Sequence, residues 1–510
     1  MLHLVAVILA QSTQQQASGP AHQGGKKDGR PRAGGQPGHR RRPWSLNTSG
    51  KLLQWLSPGL LVKRWVLTSA LGLLLLLLGS AIWANLKPVY WTLAAVESTL
   101  ASITQVFPYR LTGPLVLLSG LVLILLGQSR TFGSIKQALA PEQDRPLVDA
   151  LLAQRRLKRG PNIVAIGGGT GLATLLSGLK HYSSRITAVV TVTDDGGSSG
   201  RLRRDLGIQP PGDIRNCLTA LAKEEQLLTQ LFRYRFASGK GLEGHSLGNL
   251  FLSALTTISG DLESAIAASS RVLNIQGQVV PATNADVQLW AELEDGRLIE
   301  GESRISGAGG RIRRVGCRPG APPALPSALA AIRQADLILL GPGSLYTSLL
   351  PNLLVPQLVK EISRSPAAKL YICNLMTQPG ETDGLDVWDH MVVIGRHLRC
   401  QGVTPWLFPD VLAHSGHLDR RLVECYRSAG SEPVTCSVDK LRANGLRPHL
   451  AMMHARVASL HEDSAGKSLR HDPLRLARAV MRFYRQHQRR RHRQQGRENG
   501  SPACALGPSH

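Results

Sequence analysis

The chain of 510 residues contains only seven cysteines, and none of them falls in a C-x-x-C pair. An odd count with scattered spacing excludes a disulfide framework and a zinc site. It fits a reducing compartment in which most thiols serve as small buried hydrophobes. Acidic residues are scarce too: 35 Asp and Glu against 60 Lys and Arg leave a formal charge of +25. The excess is uneven. Much of it sits in the tails, at Lys26, Lys27, Arg30, Arg32 and Arg40–Arg42, and again from Arg485 to Arg497. Such tails either favour polyanions, meaning nucleic acid or an anionic leaflet, or are simply solvated and disordered. The middle of the chain carries mixed charges and does not read as a nucleic-acid-binding protein. No Ser-His-Asp spacing and no cluster of metal ligands stands out.

Two stretches lack charge altogether. Trp65–Leu86 is long enough to cross a bilayer, which takes roughly 20 apolar residues, and Trp65 and Trp83 sit near its ends as interfacial aromatics do. Leu111–Gly127 is a second, shorter uncharged run, near the lower limit for a span, so it could instead be re-entrant. Lys63 and Arg64 precede the first, seven Lys and Arg between Arg130 and Arg159 follow the second, and the short connection carries only Lys87 and Arg110. The pattern predicts a two-helix transmembrane hairpin within residues 60–130. The positive-inside rule then places both termini in the cytoplasm, with the chain anchored in the inner (cytoplasmic) membrane. A buried core hairpin would normally show a polar stripe. Residues 1–50 are rich in Gln, Gly, Ser, Pro and Arg and read as a disordered basic tail. Leu2–Ala10 is apolar, but it is short and no basic residue precedes it, so it does not read as a signal peptide. A polar linker follows at 131–160, then a globular domain at 161–460 and a basic tail at 461–510. In that tail Asp472 and Pro473 suit a helix start, and Leu474, Ala477, Val480, Met481 and Tyr484 take helical spacing. Such a helix could dock on the domain, a partner or a membrane surface.

Glycine and short apolar runs are what the middle has in abundance. Asn162–Ile166 reads as a buried strand, Gly167, Gly168, Gly169 and Gly171 follow at once, and Leu172–Leu179 then takes helical spacing. Strand, glycine loop and helix bring bare backbone N–H groups and a helix N-terminus to a phosphate. Ile186–Thr193 is a second strand, ending in Asp194 and Asp195. Further strands are expected at Ala335–Leu340 and Lys369–Asn374, with a short one at Val392–Ile394. Helices are expected at Asn216–Phe236 and Leu247–Ile258. Val287–Leu293 and Arg297–Ser303 flank Asp295-Gly296, a hairpin signal, and Arg311–Val315 adds a strand to a small β-rich insert. Strands alternating with helices imply a doubly wound, mainly parallel sheet.

In such a sheet, ligands bind beyond the carboxyl ends of the strands. Those ends deliver Gly168–Gly171 with Thr170; Asp194, Asp195, Ser198, Ser199 and Arg201; Gly341, Gly343, Ser344 and Tyr346; then Asn374 and Thr377, followed by Gln378, Glu381 and Thr382. Asp213, Arg215 and Asn216 stand at a helix start, where Arg215 could grip phosphate in bidentate fashion and Asp213 could instead cap. His245 and Asn249 share a helix face, as phosphate ligands, an acid/base group or structural residues. The glycine loop lacks the Lys-Ser/Thr of a P-loop and the G-x-G-x-x-G spacing of a dinucleotide fold, which weakens the ATPase and NAD readings. Tight turns alone also call for glycine. Asp194 and Asp195 project to opposite sides of an extended strand, so one of them suits Mg²⁺ on a diphosphate or a ribose hydroxyl, unless the pair simply forms a turn.

The blocks GGGTGL, VTDDGGSSGRLR, PPGDIRNCL, GHSLGNL, LGPGSLYTSLLPNLLV and CNLMTQPGETDG together resemble the gluconeogenesis factor family (YvcK-like), within the CofD-like (2-phospho-L-lactate transferase) superfamily. The likeness spans roughly Pro161 to Pro448. It implies a Rossmann-like fold, binding of a UDP-sugar such as UDP-N-acetylglucosamine, and regulation of peptidoglycan synthesis and cell shape during gluconeogenic growth. That role is non-catalytic, with no flavin or NAD. The partners it suggests are cell-envelope proteins and a second copy of the chain. The alternative is a Mg²⁺-dependent transferase acting on a nucleoside-diphosphate donor. By likeness Gly168–Gly171 would approach the diphosphate, Asp194 or Asp195 the metal or ribose, and Ser198, Asn216, His245 and Asn249 would line the same cleft. The later blocks follow the regulatory branch. The apolar hairpin lies outside the likeness.

Overall fold

The computed structural model describes residues 154–223, 226–455 and 469–498, together with parts of 71–127. The expectations for the 1–50 tail, for Leu2–Ala10 and for most of the 131–160 linker lie outside the described residues. The chain divides into two units, Met1–Leu126 and Gly127–His510.

In the first unit the long continuous element among the described residues is α1 (Lys87–Val106). It falls on the stretch expected to be a short connection. Ser98, Thr99 and Ser102 bond back to carbonyls one turn earlier, at 3.0, 2.9 and 2.9 Å. Among the described residues no helix is long and apolar enough to cross a membrane. The predicted transmembrane hairpin is therefore corrected. The twenty-residue helix carries Lys87, Glu97 and five Ser or Thr residues, too polar a sequence for a span.

The second unit begins with two βα units. β1 (Ile163–Gly167) leads into α2 (Gly169–Leu179), and β2 (Ile186–Val190) into α3 (Gly197–Leu206) and α4 (Gly212–Leu221). α5 (Gln226–Arg233), α6 (Leu247–Ser259) and α7 (Leu262–Val272) precede β3 (Gln278–Pro281). An insert follows: β4 (Gln288–Leu293), β5 (Leu298–Glu300), the single turn α8 (Glu302–Ile305) and β6 (Ile312–Arg318). After α9 (Pro326–Arg333) and β7 (Leu337–Leu340), a π-helical turn (Leu345–Leu349) runs through α10 (Leu350–Leu353) toward α11 (Pro356–Arg364). The rest is β8 (Ala368–Ile372), α12 (Val387–Arg399), β9 (Asp410–His414), α13 (Arg420–Ser428), α14 (Val438–Ala443), β10 (Arg447–Ala451) and α15 (Pro473–Glu498).

Seven strands form one sheet in the order β10-β9-β8-β7-β1-β2-β3, and every pairing is parallel. β1 is an inner strand, with Ile163 opposite Ile186 on one side and Leu337 on the other. Its residues alternate between two cores. Val164 and Ile166 join Ile338, Leu340 and Tyr371 on one face, while Ile163 and Ala165 join Leu337, Leu339 and Leu370 on the other. A strand buried on both faces must read as an unbroken apolar run, which is why IVAIG and LILL carry no polar residue. The sheet order reverses between β1 and β7, so their carboxyl ends open a crevice at the topological switch point.

The insert is a separate antiparallel sheet, β5-β4-β6, closed by the turn at Asp295-Gly296. Two expectations change. Val392–Ile394 belongs to α12, whose start is a capping box between Asp386 and Asp389; three apolar residues alone do not distinguish strand from helix. Asn216–Phe236 is two helices rather than one. The chain breaks at Ala222, which turns extended (ψ 139°) and bridges Ile275. The tail helix α15 docks on the domain: Leu476, Ala477 and Val480 are wholly buried in the same core as α2.

Candidate functional site

Four helix starts meet at the crevice. α2 begins at Gly169 straight after β1, and its N-cap residue Gly168 offers no side-chain cap. α3 and α4 begin after Gly196 and Pro211, again without a side-chain cap. Only α6 is capped, by Ser246, which accepts the Asn249 N–H at 3.2 Å. Each start touches another. A methyl group on Gly168 would lie 2.5 Å from Asp213 Oδ2, and one on Gly212 would lie 2.7 Å from Asp194 Oδ2 and 2.4 Å from Ser199 Oγ. Glycine is required at both for this approach. Gly169 additionally sits at φ +65°, and a methyl on Gly171 would strike the Pro342 carbonyl at 2.6 Å. Thr170 is exposed on the first turn of α2.

Uncapped helix starts carry partial positive charge. The side chains around them are charged and only partly neutralised. Arg215 donates to Ser246 Oγ and, at 2.8 Å, to Asn216 Oδ1, while its Nε is buried without a partner among the described residues. Asp213 accepts the Gly169 N–H, yet burial and the neighbouring Asp194 push its carboxyl up to about 6. Burial also raises Asp194, even though its Oδ1 accepts the Gly196 N–H at 3.0 Å. Glu302, delivered by α8 of the insert, is pushed up to about 8 by burial and then by Asp194, Asp195, Asp213 and Glu381. A crevice that holds its acids above their ordinary range is one where added positive charge is favourable.

The two neighbouring aspartates part company. Asp194 faces the start of α4, whereas Asp195 accepts the Ser303 N–H at 2.7 Å and so fastens the insert. Among the described residues no group of three or more His, Cys, Asp or Glu is placed to hold a metal. Mg²⁺ does not need one, since it commonly takes one or two carboxylates plus ligand phosphates and waters. Asp194, with Asp213 near it, fits that pattern. Asp195 does not.

Behind the helix starts lies a polar network. Asn249 Nδ2 donates to Ser198 Oγ at 3.0 Å, leaving the Ser198 hydroxyl free to donate to His245 Nδ1, also at 3.0 Å. All three residues are buried, and Asn249 Oδ1 has no partner among the described residues. Burial, aided by Arg201, lowers the His245 ring below its usual range, so it is neutral at pH 7. Arg201 itself is occupied with the Glu243 carbonyl at 2.6 Å.

On the other side of the crevice the later strand ends are braced. Gly343 N–H bonds Asn374 Oδ1 at 3.2 Å, Asn374 Nδ2 returns a bond to Gly343 O at 2.8 Å, and Ser344 donates to Gln378 Oε1 at 2.6 Å. Gly341 sits at φ +84° beneath this loop. Two predicted residues fall elsewhere. Tyr346 is buried in the core with its hydroxyl on the Ile312 carbonyl at 3.3 Å. Thr377 is turned toward Glu432, whose N–H it accepts at 2.8 Å. Glu302 was missed, because nothing in its sequence signals a site 108 residues from Asp194. Glu381 acts as a brace, accepting from Ser306 at 2.7 Å and Thr347 at 3.2 Å. A cavity of about 660 Å³ lies apart, lined by His414, His417, Arg420, Arg427 and Cys436 among others.

Sheet order and converging helix starts define a doubly wound α/β protein with a crevice at its switch point, the place where sheets of this kind bind their ligands. The family model described as 2-phospho-L-lactate transferase CofD matches residues 163–453. A protein of Nostoc sp. named "Putative gluconeogenesis factor" is 54% identical over 431 residues, covering 84% of this chain and 92% of that one. The "Gluconeogenesis factor" of Bacillus subtilis is 50% identical over 286 residues, 56% of this chain and 89% of that one. A crystal structure of a UPF0052 family member from Bacillus halodurans superposes with TM-score 0.58 at 46% identity, covering 63% of this chain and 99% of that one. The chain belongs to the CofD family, among its gluconeogenesis factors.

Proposed function

We propose that the protein is a regulator that binds a nucleotide sugar of the UDP-N-acetylglucosamine type and links gluconeogenic carbon metabolism to cell-wall synthesis and cell shape. The meeting of four helix starts around Arg215 at the switch point carries this reading. Three uncapped starts supply backbone N–H groups for a diphosphate, and Arg215 supplies a guanidinium with an unpartnered Nε. The gluconeogenesis factor names of the relatives support the regulatory role. The test is a thermal-shift screen of the full chain against UDP-N-acetylglucosamine, UDP, GDP and NAD, with and without Mg²⁺. A rise with the UDP-sugar and no turnover supports the regulator.

One observation favours a second reading, a transferase acting on a nucleoside-diphosphate donor. Glu302 stays protonated at neutral pH beside Asp194, which gives the crevice both an acid and an ionisable carboxylate. Asp194 and Asp213 would hold Mg²⁺, which would supply neutralising charge as the donor's diphosphate linkage breaks and a nucleoside monophosphate leaves. Mg²⁺-dependent consumption of a nucleoside-diphosphate donor would favour this reading over the regulator.

A further inference from the structure

We infer that the distal half of α15 is a docking element for the phosphate backbone of a nucleic acid. The helix has two unlike halves. As far as Tyr484 it is fastened to the domain, with Leu476, Ala477, Val480, Met481 and Phe483 buried. From Arg485 to Glu498 it continues as unbroken helix without a single apolar side chain. Fourteen further residues extend it by about 20 Å. Arg482, Arg485, Arg489 and Arg493 follow at spacings of three, four and four, which align them along one face, and Arg490 and Arg491 flank the stripe. All six are exposed, and none makes an ion pair among the described residues. No acidic residue occurs between Asp472 and Glu498.

Charge complementarity requires an anionic partner, and the composition selects among them. A helix that lies on a membrane inserts an apolar face, and this half has none. Its cationic side chains are all arginine apart from His487 and His492. Guanidinium forks match phosphate oxygens in pairs, where an ammonium would act as a point charge. Glutamines between them add neutral donors. A folded, fastened helix also presents these groups without the ordering cost that a disordered tail would incur. Contacts of this kind bind without reading sequence.

The test uses the full chain and fluorescence anisotropy with a labelled DNA duplex and a labelled single-stranded RNA of about 20 nucleotides, across a salt series about the physiological 0.15 M. The variant R489Q/R490Q/R491Q/R493Q should weaken binding at least about tenfold and flatten the plot of log affinity against log salt, by about 0.9 for each duplex phosphate contact removed. The matching four-lysine variant should recover most of the slope. An unchanged melting temperature shows that the fold is intact, as expected for side chains beyond the docked half. Equal affinity and slope in wild type and glutamine variant would overturn the inference. So would binding to phosphatidylglycerol vesicles that the glutamine variant loses while oligonucleotide binding stays the same, since that outcome assigns the stripe to a lipid surface.

Discussion

Asp195 accepts the backbone N–H of Ser303 at 2.7 Å, so this carboxylate is committed to the insert while its neighbour Asp194 faces the crevice. The two should separate cleanly under mutation. Asp195→Asn keeps an acceptor for the Ser303 N–H and loses only its charge, so it should leave UDP-N-acetylglucosamine affinity within about twofold and lower stability by about 1 kcal/mol, the difference between a charged and a neutral hydrogen bond. Asp194→Asn should do the reverse, with ligand affinity and its Mg²⁺ dependence both lost. Calorimetric titration with and without Mg²⁺, set beside melting curves, reads both effects.

Arg215 spans the starts of α4 and α6 through Ser246 and Asn216. Arg215→Lys keeps the charge but loses the fork. It should still cost about tenfold or more in affinity for a diphosphate ligand, because an ammonium cannot hold Ser246, Asn216 and phosphate together. Affinity of the lysine variant equal to wild type in a titration would remove Arg215 from the ligand.

Burial among Asp194, Asp195 and Asp213 pushes the Glu302 carboxyl up to about 8 in the folded protein, from an ordinary 4.5. The folded state therefore holds a proton that the unfolded chain releases, and stability should fall as pH rises from about 4.5 to about 8. Asp213 adds a smaller contribution of the same sign between 3.8 and about 6. Glu302→Gln should melt with wild type at pH 5 and above it at pH 8 to 9. Melting curves across that range test the sign as well as the size.

Gly178 lies under α15. A methyl group there would fall 1.9 Å from the Pro473 carbonyl oxygen and 2.9 Å from the Ala477 methyl. Gly178→Ala should push α15 outward, at an overpacking cost of about 1–3 kcal/mol. Hydrogen exchange should quicken over 473–484 before it changes in the sheet.

The parts of the fold that could be read from sequence are those dictated by local periodicity. IVAIG followed by glycine can hardly be anything but a buried strand entering a tight turn, and Asp295-Gly296 between alternating runs closes a hairpin. The same residues placed Gly168, Asp194, Asp213 and Arg215 at strand and helix ends, and the structure brings these four together. What could not be read depends on distant neighbours. Tyr346 and Thr377 follow strand ends but turn away, toward Ile312 and Glu432. Glu302 enters the crevice because the insert is fastened beside it, by Asp195 at Ser303 and by Glu381 at Ser306. Val392–Ile394 misled because its capping residues lie outside the run itself. The apolar runs near 65–127 misled differently. Hydropathy counts residues, whereas the long helix among the described residues is the more polar Lys87–Val106 between them.

The seating of α15 against α2 has a temporal side. α2 leaves the ribosome early, and the helix that covers its back follows it by some 300 residues of synthesis. β1 likewise waits for β7 to gain its second neighbour. At roughly 5–20 residues per second, the first βα unit stays open on one side for many seconds. The glycine loop gains its facing wall, Ser348 beside Gly168 and Pro342 beside Gly171, only after β7 has been made, so the crevice is completed long after its first strand.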